Sequence, residues 1–90
     1  MLAQQARVRL LRGELRVVRV DKSLLEDAGR ARRVFGVIAA TEPRVPLVLV
    51  ERQTFGSRKP KTLGDKIFCS LVEVEPQSRF RWQDIAVPSV

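Results

Sequence analysis

The chain contains no histidine and no tyrosine among its 90 residues, and it contains a single cysteine. Histidine is the side chain used most often for general acid–base catalysis, and tyrosine is another. Without histidine a Cys–His nucleophile is also impossible. These absences favour a binding protein over an enzyme, and we expect no catalytic residues and no cofactor.

The same shortages bear on metal binding and on the cellular compartment. Structural zinc sites use several Cys and His ligands, so one thiol without imidazole predicts no metal site. Cys69 cannot form a disulfide within the chain, whereas small secreted domains usually contain several. The first seven residues lack the apolar run of a signal peptide, and no stretch approaches the ~18 apolar residues of a membrane span. We therefore expect a cytoplasmic protein that does not enter membranes.

Positive charge is what the chain has in excess. Lys and Arg number 17 against 10 Asp and Glu, giving a formal net charge of +7, while 44% of the residues are hydrophobic. That apolar content is too high for a disordered basic tail, so we expect a folded domain with an anionic partner. The excess lies towards the N-terminus: residues 1–33 hold nine basic and four acidic residues, residues 34–66 six and three, and residues 67–90 two and three.

Alternating apolar residues and turn signals predict an α+β fold. We expect a small single-layer, mainly antiparallel sheet of five to six strands with two short helices packed on it. A single domain is expected over residues 1–90, with residues 1–5 and 86–90 as frayed tails. Runs rich in Val, Ile and Leu predict central strands over residues 32–40 and 46–54.

The two helices are placed by their capping and stop signals. One is expected over residues 21–29, ended by Gly29. The other is expected from Leu63 to about Ser70, with Thr62 as the cap in a Thr-x-x-Asp box. The apolar residues expected on its buried face are Leu63, Ile67, Phe68 and Leu71.

A C-terminal hairpin is predicted to turn at residues 76–78. In that register opposite charges face each other, as in Glu75 with Arg79, and so do apolar side chains, as in Val72 with Trp82. Its arginines would therefore be neutralised locally. The chain after Trp82 is expected to trail off.

An N-terminal hairpin over residues 7–20, with its turn at Arg12–Gly13, carries the leading anion site. Its apolar pattern places Arg9 opposite Arg16, with Arg7 on the same face. Like charges facing each other destabilise a sheet, and an anion between the two guanidiniums would remove that cost. The alternative is a solvated outer face on which the arginines spread apart.

Two further groups of basic residues extend this candidate site. One follows the first predicted helix, and the other precedes a predicted helix N-terminus, where backbone N–H groups favour an anion. The candidate anion-binding or nucleic-acid-binding residues are Arg7, Arg9, Arg16, Arg30, Arg32, Arg33, Arg58, Lys59 and Lys61.

Three segments carry a family resemblance. Arg32–Ile38 and Pro46–Arg52 suggest a central hairpin, and Leu63–Phe68 suggests a short helix with a Leu-Gly pair. Over residues 7–70 the chain resembles the chorismate lyase superfamily, which includes effector-binding domains of bacterial transcription regulators.

This resemblance implies a small-molecule site for an aromatic carboxylate. Arg33 would match the arginine that binds the carboxylate, and Leu63 and Gly64 would line the pocket. The second half of the family's fold, with its essential glutamate, has no counterpart in these residues. Ligand binding without lyase activity is therefore what the resemblance implies.

Three functions remain open from the sequence. The favoured one is a non-catalytic protein that binds a polyanion, nucleic acid or a nucleoprotein assembly above all, through the Arg-rich N-terminal hairpin. The second is the small aromatic carboxylate site. The third is a basic adaptor that docks on an acidic protein partner. The oligomeric state, and whether the basic groups share one face, are left open.

Overall fold

The computed structural model describes residues 2–53 and 59–87. Its strands are β1 (Leu2–Leu10), β2 (Gly13–Val20), β3 (Leu47–Glu51), β4 (Thr62–Leu63) and β5 (Gln83–Ala86). Its helices are α1 (Lys22–Glu26), α2 (Ala28–Thr41) and α3 (Lys66–Val74), with a 3-10 turn at Gln77–Arg79.

The described strands form one open mixed sheet in the order β4–β3–β2–β1–β5. β2 and β3 run parallel, and the three other neighbouring pairs are antiparallel. The α+β architecture with one mainly antiparallel sheet is thus confirmed. The parallel pair exists because α1 and α2 carry the chain from the end of β2 back to the start of β3.

Helices cover both faces of the sheet. α1 and α2 pack on one face, where Val18 and Leu49 belong to the core, and α3 packs on the other, where Val17 and Val48 do. Successive residues of β2 and β3 therefore point to opposite, equally apolar sides. This explains the uninterrupted apolar run Leu47–Val50 of β3. All five residues of the strand, including Glu51, are buried.

Residues 32–40 form part of α2, so the predicted central strand over this segment is wrong. The buried residues of α2 are Ala31, Val34 and Ile38, spaced three and four apart as on one face of a helix. Gly36 lies between them and is exposed. The β-branched residues suggested a strand, but packing on the sheet determines the structure here.

The predicted helix over residues 21–29 is divided in two. α1 is a single short turn, and Leu24 is its buried residue. The side chain of Asp27 then caps α2 by accepting a hydrogen bond of 3.1 Å from the backbone N–H of Arg30. Gly29 therefore lies in the first turn of α2 and does not end a helix.

The N-terminal hairpin forms, but its register is shifted by two residues from the predicted one. The turn is Leu11–Arg12, and Leu10 pairs with Gly13. Gly13 has a φ of +122°, which residues with a side chain rarely adopt. A shift by an even number keeps every side chain on its predicted face but changes its cross-strand partner.

α3 begins later than predicted and buries a different face. Its cap is Asp65, which accepts a hydrogen bond of 2.9 Å from the backbone N–H of Ile67. Thr62 and Leu63 instead form β4 against β3. The buried residues of α3 are Cys69 and Val72.

The predicted C-terminal hairpin does not form, because α3 continues to Val74 and the 3-10 turn follows it. Glu75 and Arg79 do approach to 3.6 Å, but as neighbours along one turn of chain. The segment after Trp82 becomes β5 and pairs with the start of β1.

Because β5 pairs with β1, the described residues at the two ends of the chain are not frayed tails as expected. Residues 2–5 belong to β1 and residue 86 to β5. Ala3 and Val87 are part of the core. Residue 1 and residues 88–90 lie outside the described residues.

Substitution of two glycines tests the helical assignment of α2 and the start of α3. Gly64→Ala should lower the free energy of unfolding by about 2 kcal/mol, because Gly64 has a φ of +146° and its Cβ would lie 2.8 Å from the carbonyl oxygen of Leu47. Gly36→Ala should raise it by about 0.5–1 kcal/mol, because an added methyl meets open space in a helix interior. Urea denaturation measures both values, and a destabilised Gly36→Ala variant would contradict the helix.

Candidate anion-binding cleft

Arg16 is buried and not accessible to a ligand, with 5% of its surface exposed. Its guanidinium donates two hydrogen bonds to Gln5 Oε1, at 2.8 and 2.9 Å, one to the carbonyl of Ile38 at 3.0 Å, and one to Thr41 Oγ1 at 3.1 Å. Glu42 Oε2 lies 3.3 Å from its Nε. Burial lowers the pKa of Arg16, but an arginine remains protonated in proteins.

Arg7 is held by two carboxylates. Its guanidinium lies 2.8 Å from Glu14 Oε1 and 2.6 Å from Glu42 Oε1. The hydrogen bond to Glu42 raises the pKa of Arg7, and the same bond, aided by the charge of Arg16, lowers the pKa of the Glu42 carboxyl.

The predicted pairing of Arg9 with Arg16 is wrong, because Arg9 faces Glu14 and Arg7 faces Arg16. Two arginines do therefore face each other on this side of the hairpin, but they are Arg7 and Arg16. Glu42 contacts both of their guanidiniums. The negative charge expected between two arginines therefore comes from the chain itself: it is the carboxylate of Glu42, which lies in the turn between α2 and β3.

The arginines of α2 are differently placed. Arg30, Arg32 and Arg33 are all exposed. None of their guanidiniums forms an ion pair or hydrogen bond with another residue in the ranges 2–53 and 59–87. They are therefore available to an external anion.

A cleft of about 400 Å³ lies between the start of α2 and the β4–α3 segment. Its lining residues are Leu25, Ala28, Ala31, Arg32, Lys61, Thr62, Leu63 and Glu73. Arg32 comes from one sequence-predicted basic group and Lys61 from the other. Two of the basic groups that the sequence left separate thus meet in one cleft.

Pairing of the strands positions the Lys61 side of the cleft. Thr62 pairs with Val50, which fixes β4 at the edge of the sheet. The backbone N–H of Lys61 donates to Glu51 Oε2 at 3.0 Å, and Lys61 Nζ lies 4.0 Å from Glu26. A long, exposed contact of this kind is weak, so the ammonium can turn to a ligand.

Glu73 is the acidic group of the cleft, and it is neutralised within the fold. Its carboxylate accepts a hydrogen bond of 2.8 Å from Thr62 Oγ1 and lies 3.3 Å from Lys59 Nζ. Lys59 is consequently engaged, while Arg32 remains unpaired among the described residues. Sequence reasoning missed Glu73 because it assigned this residue to a hairpin.

Four other predicted site residues are Leu63, Gly64, Arg33 and Arg58. Leu63 lines the cleft, and Gly64 lies between it and Asp65, the cap of α3. Arg33 does not line the cleft. Arg58 lies outside the described residues.

The part of the chain that the structure describes contains neither a metal-binding cluster nor a membrane-spanning helix. Within residues 2–53 and 59–87, no group of three or more His, Cys, Asp and Glu side chains could hold a metal ion. No helix of these ranges is long and apolar enough to cross a bilayer.

No family model, curated protein or solved structure matches the chain. The resemblance to the chorismate lyase superfamily therefore stays a prediction. Its central hairpin does not form, since Arg32–Ile38 belongs to α2.

The Glu42 carboxylate should make stability depend on pH. Because its pKa is lowered in the folded protein, its contribution is present above the ordinary value of 4.5 and is lost as the pH falls through the lowered pKa. Glu42→Gln should therefore be less stable than wild type at pH 7, and the difference should shrink below pH ~4.5. Urea denaturation from pH 7 to pH 3 measures this.

Glu75→Gln is the matched control, since Glu75 forms only an exposed ion pair with Arg79. A Glu42→Gln variant as stable as Glu75→Gln at pH 7 would contradict the role assigned to Glu42.

Proposed function

We propose that the protein is a non-catalytic binding protein for a polyanion, with nucleic acid as the favoured partner. The contact surface is centred on Arg32 and Lys61 in the cleft and extends round the exposed side of α2 through Arg33 to Arg30. We call these four residues the basic face. The observation that carries the proposal is the meeting of Arg32 and Lys61 in one cleft beside two further exposed arginines. The hairpin arginines Arg7 and Arg16 are replaced in this role because carboxylates of the chain already hold them.

Arginine suits this partner for a geometric reason. Its planar guanidinium can donate two parallel hydrogen bonds to one phosphate, which an ammonium cannot do. Three of the four members of the basic face are arginines. Contacts of this kind position a protein on the backbone of a nucleic acid without reading its sequence.

The aromatic residue best suited to base stacking is engaged within the fold. Trp82 lies under the guanidinium of Arg19 at 4.4 Å, and its indole N–H donates to the carbonyl of Gln77 at 2.9 Å. Phe80 meets its ring edge-on. Binding should therefore depend on phosphates and on salt concentration more than on bases.

A charge-reversal experiment tests the proposal. Binding of a fluorescent oligonucleotide should weaken steeply with salt, with a log–log slope of about −3 to −4 for four phosphate contacts. Arg32→Glu with Lys61→Glu should weaken binding at least about tenfold and flatten the slope. Fluorescence anisotropy at several salt concentrations measures both effects.

The control is Arg9→Glu with Arg12→Glu, which lowers the net charge of +7 by the same four units. Arg12 precedes Gly13 at one end of β2, whereas the cleft lies at the other end, near Val20 and Glu51. The control should retain most of the affinity. Equal losses in both variants, or a flat salt slope in wild type, would contradict the proposal.

A small aromatic carboxylate is a second candidate ligand, favoured by the apolar wall of the cleft. Leu25, Ala31 and Leu63 lie beside Arg32, and about 400 Å³ falls within the range of small-molecule pockets. A benzoate should then raise the melting temperature of wild type and of Arg33→Ala but not of Arg32→Ala. No stabilisation of wild type by any aromatic carboxylate would exclude this candidate.

A further inference from the structure

Arg19 and Arg52 form a pair of neighbouring arginines, as Arg7 and Arg16 do. Burial lowers the pKa of Arg19, and the nearby charge of Arg52 lowers it further. Glu42 contacts both members of the first pair. Within residues 2–53 and 59–87, no carboxylate forms an ion pair with Arg19 or Arg52. The positive charge of this second pair is therefore not neutralised by the described part of the chain.

The Arg19 guanidinium is held on the face of the sheet that α3 covers. Arg19 pairs with Val50 and follows Val17 by two residues, and both valines belong to the core on that face. The guanidinium lies 4.4 Å from the centre of the Trp82 ring, and its Nε donates to Gln4 Oε1 at 2.5 Å. Its two Nη groups donate no hydrogen bond to a described residue. They are therefore fixed in place with their donors available.

Arg52 is brought beside Arg19 by the pairing of β2 and β3. The backbone N–H of Arg52 donates to the carbonyl of Val20 at 2.8 Å, which continues the parallel pairing one residue beyond β3. Arg52 follows Val50 by two residues, so its side chain extends from the same face as that of Arg19. The side chain is exposed. It can therefore move to meet a ligand that Arg19 holds.

The carboxylate nearest to Arg19 in the hydrogen-bond network is linked to it only through an amide. Asp84 Oδ1 accepts a hydrogen bond of 3.2 Å from Gln4 Nε2, and Gln4 Oε1 accepts the bond from Arg19. This arrangement directs the oxygen of Gln4 at the guanidinium. An amide oxygen satisfies one donor but supplies no negative charge, so the site still favours an anion.

A phosphate group fits this pair better than a carboxylate does. A phosphate monoester carries about two negative charges and three acceptor oxygens, whereas a carboxylate carries one charge and two oxygens. A planar guanidinium can donate two parallel hydrogen bonds to one phosphate. One phosphate can therefore be bound by Arg19 and Arg52 together.

We propose that Arg19 and Arg52 bind a phosphate group on the face of the sheet that carries α3. The site is distinct from the cleft, because neither arginine lines the cleft and Arg32 belongs to α2, on the opposite face. The proposal does not rest on the binding of a polyanion at the basic face. A small phosphorylated compound and a nucleic acid backbone both offer phosphate oxygens, and the experiment below separates these two sources.

The fluorescence of Trp82 provides a local test, because this residue is the only tryptophan and the chain has no tyrosine. Inorganic phosphate, added at constant pH and ionic strength, should change the fluorescence of wild type in a saturable way. Sodium chloride over the same range of ionic strength should not. Arg52→Gln should weaken the apparent affinity for phosphate at least about fivefold, because it removes a charged donor.

Arg12→Gln is the matched control. It removes the same charge from another exposed arginine, in the hairpin turn at the opposite end of β2. It should bind phosphate as wild type does. The proposal is overturned if wild type shows no saturable change with phosphate, or if Arg52→Gln and Arg12→Gln bind phosphate equally well.

The same titration with a short single-stranded oligonucleotide identifies the source of the phosphate. A change in Trp82 fluorescence that Arg52→Gln weakens supports binding of the nucleic acid backbone at this site. No response to the oligonucleotide, in a protein that responds to phosphate, supports a small phosphorylated compound. The basic face is tested by the affinity for an oligonucleotide and this site by the response to inorganic phosphate, so either proposal can fail alone.

Discussion

The buried guanidinium of Arg16 joins the sheet to the C-terminal end of α2. A charge removed from water is tolerated only when it is paired and hydrogen-bonded. Arg16 meets that condition with Gln5 on the neighbouring strand, the carbonyl of Ile38 in α2, and Glu42 just after the helix. The carbonyl of Ile38 lies in the last turn of the helix, where a cation is favourable. This one side chain therefore fixes where α2 ends on the sheet.

The position of the proposed binding surface follows from that constraint. The side chain of Asp27 caps the start of α2, and Arg16 binds the carbonyl of Ile38 near its end. These two contacts fix the position of the helix on the sheet and so the position of its exposed residues. Arg32 is thereby set opposite Lys61 across the cleft. Arg7 and Arg16 stabilise the fold, while the α2 arginines remain available for a ligand. Some basic residues of the chain thus stabilise the fold, and others are accessible to a ligand.

The fold class and the strands β2 and β3 could be predicted because their signals are local. Alternation along the N-terminal hairpin assigned each side chain to its correct face, although the turn lies earlier than Arg12–Gly13. α2 was missed because its β-branched residues favour strands, and its burial depends on the sheet beneath it. The C-terminal hairpin failed for a related reason: its charge matches were local, whereas β5 pairs with the distant start of β1.

The candidate site was predictable only in part. Arg32 and Lys61 could be selected as basic residues, but their meeting requires β4 to pair with β3 and α2 to pack on the sheet. The role of Glu42 was hidden for the same reason, since it reaches Arg7 and Arg16 from a turn far along the chain. Patterns within one segment reveal residue types, and contacts between segments decide which of them a ligand can reach.

We propose that anions bind at the cleft and not at the hairpin. The most direct test is titration of the 15N-labelled protein with a short oligonucleotide, followed by NMR through the backbone amide signals. We expect shifts at residues 28–33 and 61–63, with the signals of residues 7–16 unchanged. Shifts confined to residues 7–16 would contradict it.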